Sequence, residues 1–243
     1  MAEFKLPTET IELPSKGLIY PKDNPLSSGK IEMKYMTAKE EDILSNQSYI
    51  EKGIVIDKLL QSLIISDINY NDLIIGDKNA IMVAARILGY GKNYEFMYEG
   101  EKVTLDLTTL DNKEINEENF PQGQNNFSFK LPATDTDITF KILTHKDELN
   151  ITRETEGLKK INKNNSSTLT TRLKHIITSV GGDSEPKSIR EYVDKYMLAQ
   201  DSRALRTHIS DFQPDVDLSF FPSTGRDKKS LPIGLNFFWP DYE

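Results

Sequence analysis

The chain has 243 residues, a formal net charge of −8 at pH 7 and no cysteine, and hydrophobic residues make up 37% of it. This length allows one large domain or two small ones, and the composition is typical of a globular protein. The lack of cysteine excludes disulfides, thiol catalysis and thiolate metal sites. Basic residues scattered through an acidic chain argue against a nucleic-acid partner.

The sequence also argues against a membrane location. The longest apolar runs, such as Leu73–Ile75 and Ile81–Ala85, are far shorter than the roughly 20 residues that span a bilayer. The segment Met1–Thr10 contains Glu3 and Lys5 and lacks the apolar centre of a secretory signal. We therefore expect a soluble protein that is not exported.

The first third of the chain predicts an extended segment, a strand and three helices. Leu13–Pro21 (LPSKGLIYP) is bounded by prolines and holds a glycine, which is typical of a fixed extended segment with a tight turn. Alternating apolar residues predict a strand over residues 31–35. A capping box at Thr37–Glu40 predicts a helix start, an apolar stripe predicts a second helix over residues 56–64, and a third helix is predicted over 77–88, ending at Gly89 or Gly91.

The middle of the chain changes to a period of two residues. Val103, Leu105 and Leu107 alternate with polar residues and predict a strand. After a predicted polar loop over residues 111–126, two further alternating runs, at 127–131 and 138–142, predict a hairpin.

Helical periodicity returns in the second half. One helix is predicted from an N-cap at Ser167 through Val180, with Gly181 after its end. A second capping box at Ser188–Glu191 predicts another helix, which continues after a break near Asp201 through Phe212. From residue 216 to 239 the pattern alternates again and predicts a closing β-hairpin.

This order of elements predicts an α+β fold. It consists of a helical N-terminal module, antiparallel strands in the middle, a second helical segment and a closing C-terminal β-hairpin. We divide the chain into residues 1–92 (extended arm, strand and helices), 93–145 (β-rich segment) and 146–243 (helical segment with the hairpin).

Common catalytic signatures are absent from the sequence: there is no phosphate-binding loop, dinucleotide-binding glycine turn, nucleophile elbow or HExxH motif. His145, His175 and His208 are too far apart in sequence to share a helix face as metal ligands. The acidic run 111–118 lacks the central glycine of a calcium loop. We predict no catalytic, cofactor-binding or metal-binding residue and no enzyme activity.

A peptidoglycan hydrolase is the alternative from another class. It would need a general acid and a base, and Glu40, Glu41 and Asp42 are the acids that a test would remove first. Their place in a predicted first helical turn, where negative charge suits the helix dipole, favours a structural role.

The candidate functional residues are apolar and lie near the two ends of the chain. A proline-bounded extended segment has few ways to satisfy itself internally, and aromatic residues on both faces of a terminal strand need either a core or a partner. We predict partner contacts through Leu13, Pro14, Leu18, Tyr20, Pro21, Phe237, Phe238 and Trp239. Deletion of residues 1–21 is then expected to leave a folded protein that fails to assemble.

The same stretches carry a resemblance to a known family. Leu13–Pro21, then Lys30–Leu44 (KIEMKYMTAKEEDIL) and the closing FFWP of residues 237–240 resemble baseplate hub subunits and baseplate hub assembly proteins of T4-like contractile-tailed phages. The resemblance implies a virion protein of the tail baseplate, assembled in the host cytoplasm, with other baseplate and tail proteins as partners. It could be present in multiple copies per baseplate. An assembly chaperone that leaves before the virion is complete is the alternative.

One departure from the family concerns metal. Some similar phage proteins carry a C-P-x-C-G knuckle before their last strands, and Phe221–Gly225 (FPSTG) stands in the matching place with neither cysteine. The resemblance therefore implies that a zinc site has been lost here.

Overall fold

A computed structural model gives the fold of residues 6–161, 167–222 and 227–239. The helices in these ranges are α1 Ala38–Leu44, α2 Gln47–Glu51, α3 Val55–Leu63, α4 Ile75–Tyr90, α5 His145–Ile161, α6 Thr168–Ile176, α7 Pro186–Lys195, α8 Ala199–Phe212 and α9 Leu235–Phe238. The strands are β1 Thr8–Glu12, β2 Lys30–Lys34, β3 Asn93–Tyr98, β4 Glu101–Asp106, β5 Phe127–Lys130, β6 Asp137–Phe140, β7 Ile177–Val180, β8 Ser219–Phe220 and β9 Lys229–Ser230.

The strands form small antiparallel sheets between the helices. β1 pairs with β2, β3 with β4 and β8 with β9, while β5, β6 and β7 form a three-stranded sheet in that order. This arrangement confirms the predicted α+β class.

The chain divides into two compact units, each built from separate stretches of sequence. Unit 1 comprises residues 1–68, 76–114 and 214–243, and unit 2 comprises residues 69–75 and 115–213. The predicted boundaries at residues 92 and 145 do not coincide with these units, because the tail after residue 214 returns to unit 1. Within unit 1 the tail is attached by backbone hydrogen bonds from Lys113 to Asp215 and from Asp217 to Asp111.

The core of unit 1 forms where the sequence pattern predicted it. Ile31 and Met33 of β2 are buried, and Leu59, Leu60 and Leu63 on one face of α3 are fully buried. At the start of α1, the Glu40 carboxylate accepts hydrogen bonds from the backbone N–H and the hydroxyl of Thr37, as expected of a helix start at this point.

Helix α4 is apolar and buried on most of its sides. Its first turn passes so close to the chain at residue 214 that a Cβ on Gly76 would lie 1.9 Å from the carbonyl oxygen of Pro214. Glycine is therefore required at position 76. Helix α4 ends at Tyr90 and is followed by Gly91 with φ of +83°, one of the two predicted stops.

Unit 2 has a three-stranded sheet and an aromatic core. Phe127 and Phe140, opposite each other on β5 and β6, lie with ring centroids 5.7 Å apart, and each contacts Phe212 of α8. The first turn of α8 also fixes the β5–β6 turn, since the buried Asp201 carboxylate accepts hydrogen bonds from the Ala133 N–H and the Thr134 hydroxyl.

Two expectations from the second half of the chain are wrong in detail, and two helices were not predicted. Residues 177–180 form strand β7, paired with β6, and are not the end of a helix. Helix α7 begins at Pro186 with Glu185 as its N-cap, and not at the predicted capping box of Ser188. Proline is favoured at the first helical position, so the helix starts earlier in the chain. Helices α2 and α5 were not predicted.

The closing hairpin exists, but it is much shorter than predicted. In the described part of the tail, the paired strands are Ser219–Phe220 and Lys229–Ser230, and Leu235–Phe238 form a helical turn. Phe237 and Phe238 are both fully buried. Consecutive residues of a strand point to opposite faces, whereas a helical turn can direct both toward one core.

Candidate partner-binding site

The N-terminal segment predicted to bind partners is folded into the protein. Leu13 and Tyr20 are only 1% and 3% exposed, Pro14 is also buried, Leu18 is half-buried and Pro21 is exposed. Backbone hydrogen bonds from Lys16 to Leu13, Leu18 to Ser15 and Tyr20 to Gly17 make this segment a series of turns. The predicted extended docking arm is therefore a series of turns that belongs to the fold of unit 1. The prediction that the protein folds without residues 1–21 stays untested.

A buried carboxylate in helix α4 holds these turns in place. One oxygen of Asp77 accepts a 2.9 Å hydrogen bond from the Ser15 N–H, and the other accepts from the Ser15 hydroxyl at 2.7 Å and the Tyr20 hydroxyl at 2.6 Å. Burial raises the pKa of Asp77 from its ordinary 3.8 to about 6, against the opposing effect of these hydrogen bonds. We call this group of three side chains the Asp77 clamp.

Two glycines allow the turns to close. Gly17 and Gly29 have φ of +78° and +69°, and a Cβ on Gly17 would lie 2.4 Å from the Ser27 carbonyl oxygen. The Leu13 N–H also donates to the Gly29 carbonyl at 2.8 Å. Both conformation and space therefore require glycine at position 17.

The C-terminal aromatic cluster is also largely core. The Phe237 ring lies edge-on to Tyr94 with centroids 4.9 Å apart, and the Phe237 carbonyl accepts a 3.1 Å hydrogen bond from Nε of the buried Arg86. Trp239, in contrast, remains half-exposed. Of the aromatic residues predicted to contact partners, Trp239 is the one whose side chain is available.

Trp239 lies at a surface groove of about 370 Å³ beside strand β3. We call it the β3 groove. One wall is the strand itself and the other is the segment that leads into α9; the lining residues are Tyr94–Met97, Pro232–Asn236 and Trp239. Met97 is 57% exposed there, so the groove offers apolar surface as well as main chain.

The backbone of β3 is open on the side away from β4. Antiparallel neighbours alternate between hydrogen-bonded and non-hydrogen-bonded pairs, and the Leu107 N–H donates to the Lys92 carbonyl. Even-numbered residues of β3 therefore bond to β4, while Asn93, Glu95 and Met97 direct their N–H and C=O groups outward. In the described ranges no other strand pairs with β3.

Of the described residues that line the β3 groove, Glu95 is the charged one, and a neighbour neutralises it. Glu95 is paired with Lys102 across the strands at 2.8 Å, and that contact lowers the pKa of Glu95. Arg86, beneath the groove, lies over the rings of Tyr90 and Tyr94 at 5.0 and 5.5 Å. The groove is thus suited to main-chain hydrogen bonds and aromatic contact rather than to ionic recognition.

The titratable residues weighed from the sequence occupy structural positions. Glu40 is buried and paired with Lys34 at 2.8 Å, while Glu41 and Asp42 are exposed. His145 packs edge-on to Tyr70, His175 bonds to Glu154 and His208 stacks on Phe129. Glu40 therefore contributes to the fold, and its neighbours do not form an acid–base pair with it.

The described ranges show neither a metal-ligand cluster nor a membrane-spanning helix. No group of three or more potential His, Asp or Glu ligands gathers there, and no helix in those ranges has the length and apolar character to cross a bilayer. Of the segment that corresponds to the knuckle, Ser223–Gly225 lies outside the described residues.

Neither the Asp77 clamp nor the open edge of β3 could be predicted from the sequence. The sequence signal for Asp77 is an acidic residue at the start of a predicted helix, which is common in proteins. Which residues of β3 face away from β4 depends on the register of strand pairing.

Comparison of the chain with models of known families, with curated proteins and with solved structures finds no match.

Proposed function

We propose that this chain is a structural, protein-binding component of a phage contractile-tail baseplate, in the hub region. The β3 groove is the observation that carries the protein-binding part of the proposal, because an open strand edge beside apolar side chains is suited to adding a strand from a partner. The resemblance of residues 13–21, 30–44 and 237–240 to baseplate hub proteins supports the phage part.

The N-terminal segment is part of the folded protein and not a free arm that folds on a partner. The Asp77 clamp fixes residues 15–20 against α4, so this part of unit 1 is ordered before any partner binds. A preformed surface loses less conformational entropy on association than a segment that must fold first. In this proposal residues 13–21 stabilise the fold of unit 1, and the partner binds at the β3 groove.

Site-specific photo-crosslinking in phage-infected cells tests the proposal. A photoreactive amino acid at Met97, on the open edge of β3, is expected to crosslink to a baseplate or tail protein. The matched control carries the same amino acid at Thr104, on the opposite edge of the hairpin. Equal crosslinking from both positions, or crosslinks from Met97 to host proteins alone, would count against the proposal.

A further inference from the structure

Helix α8 presents a basic face beside an apolar groove in unit 2. Arg203, Arg206, Thr207 and Ser210 recur at helical spacing and are exposed. They line a shallow depression that adjoins a groove of about 250 Å³ and shares Arg206 and Ser210 with it. We call the two together the α8 groove.

The floor of the α8 groove is apolar and its rim is cationic. Ile75, Leu143, Ile176 and Ile209 provide aliphatic surface. The lining also contains four cations, Lys141, Arg172, Arg203 and Arg206, and one acid, Asp211. Positive charge at this surface stands out in a chain whose net charge is −8, although acids next to the lining, Asp147 and Glu148, pair with two of the four cations.

The four cations differ in their contacts. Lys141 is paired with Asp147 at 2.7 Å and Arg172 with Glu148. Arg206 donates from Nε to the Ser202 carbonyl at 3.2 Å, and in the described part of the chain neither Arg203 nor Arg206 forms an ion pair. Two guanidinium groups thus have donors available at the edge of an apolar surface, and guanidinium groups bind carboxylates with paired donors.

We propose that the α8 groove binds an acidic, amphipathic segment of a partner protein. Apolar side chains of that segment occupy the floor, and its carboxylates accept hydrogen bonds from Arg203 and Arg206. Charge complementarity carries this choice of occupant. The site is separate from the β3 groove, and the inference does not depend on a phage origin.

Peptide selection against the full chain tests this proposal. From a displayed library of random peptides of about 15 residues, long enough for four helical turns, the wild-type protein is expected to select sequences rich in Asp, Glu and large apolar residues. A selected peptide is then synthesised with a fluorescent label, and its affinity is measured by anisotropy at about 0.05 and 0.5 M salt, where screening differs strongly.

The variant R203Q/R206Q is expected to bind the peptide about tenfold more weakly than wild type, and the difference should shrink at high salt. The matched control R153Q/K187Q removes the same charge from exposed positions of unit 2 and should bind as wild type does. Far-ultraviolet circular dichroism and melting temperature establish that both variants are folded.

Five results would overturn the proposal. The first four are selection of no peptide, selection of peptides without acidic enrichment, equal loss of affinity in both variants, and salt-dependent self-association of the chain that R203Q/R206Q abolishes. The fourth would identify a second copy as the occupant. Displacement of the peptide by an oligonucleotide that binds wild type but not R203Q/R206Q would point instead to nucleic acid and would equally contradict it.

Discussion

The hydroxyl of Tyr20 donates a 2.6 Å hydrogen bond to the carboxylate of Asp77, which joins two segments 57 residues apart in sequence. Since Ser15 donates two further hydrogen bonds to the same carboxylate, the turns of residues 15–20 depend on one buried acid. The N-terminal residues that resemble baseplate proteins are therefore part of the fold of unit 1.

Removal of the Asp77 carboxylate should destabilise the protein strongly. Asp77→Ala leaves the donors of Ser15 and Tyr20 buried without an acceptor, and each such group costs about 1–3 kcal/mol. We expect the free energy of unfolding to fall by roughly 3 kcal/mol or more, whereas Tyr20→Phe, which removes one donor, should cost about 1–2 kcal/mol. Urea denaturation measures both. Asp42→Ala, at an exposed position, is the control, and a similar loss there would refute the assignment.

The same carboxyl predicts a pH dependence of stability. Its pKa is about 6 in the folded protein against 3.8 ordinarily, so ionisation is harder in the folded state than in the unfolded one. The contribution of this group is fully present below about pH 4 and is lost as the pH rises through 6, by up to about 3 kcal/mol. Asp77→Asn, which cannot ionise, should lack this loss.

The comparison is made as a difference between wild type and Asp77→Asn at each pH, because other acids titrate in both proteins. The stability of wild type relative to the variant should decrease between pH 4 and pH 7. A difference that is independent of pH would show that Asp77 does not titrate in this range.

A substitution at Gly17 should be costly for two reasons, a positive φ and a close contact. Gly17→Ala places a methyl group 2.4 Å from the Ser27 carbonyl and should cost about 2–3 kcal/mol or more. Gly53 has φ of +65° and open space around it, so Gly53→Ala isolates the backbone cost of about 1 kcal/mol. Equal free energies of unfolding for the two variants would show that the close contact between position 17 and Ser27 carries no cost.

One carboxylate in unit 2 connects three helices. Glu154 of α5 bonds to Arg190 of α7 at 2.7 Å and to His175 of α6 at 3.0 Å. The contact with Arg190 is the main reason that the pKa of Glu154 is lowered to about 2. The stability that this acid contributes is present above pH 4.5 and is lost as the pH falls toward 2.

Glu154→Gln should therefore cost about 1 kcal/mol at pH 7, measured by urea denaturation, and less near pH 3. Glu191→Gln, which breaks the exposed pair of Glu191 with Lys195, should cost no more than about 0.5 kcal/mol. If Glu191→Gln lowers the free energy of unfolding as much as Glu154→Gln does, Glu154 is not a stabilising contact among the three helices.

Blocking the open edge of β3 should impair assembly more than folding. Met97→Pro removes an N–H that faces away from β4, while Thr104→Pro makes the equivalent change on the other edge of the hairpin. We expect both proteins to fold, with lower incorporation into particles for Met97→Pro alone, measured in infected cells that express each variant. Similar incorporation of Met97→Pro and Thr104→Pro would show that the β3 groove is not the partner-binding site.

The sequence predicted those elements that local rules determine. The helix start at Thr37, the apolar stripe of α3 and the β5–β6 hairpin follow from capping and periodicity, which depend on near neighbours. Ile177–Val180 also matched a helical stripe, but pairing with β6 decided its conformation. Such tertiary pairing is not encoded in the period of a four-residue segment.

The candidate sites were harder to predict, because they depend on distant contacts. The apolar residues at both ends suggested partner binding, yet Leu13, Tyr20, Phe237 and Phe238 are buried. Tyr20 is bonded to Asp77, and Phe237 contacts Arg86 and Tyr94, all from distant parts of unit 1. Among the predicted residues in the described ranges, Pro21 is exposed and Leu18 and Trp239 are half-buried, and of these three Trp239 lines the β3 groove. The outward direction of Met97 follows from strand register, which one sequence does not give.

Quantitative mass spectrometry of purified virions tests the central claim most directly. A structural component of the baseplate should be present in a fixed ratio to the other baseplate proteins, and the ratio should survive repeated purification. Absence of the chain from mature particles, with its presence in infected cells, would contradict the structural role and identify an assembly chaperone instead.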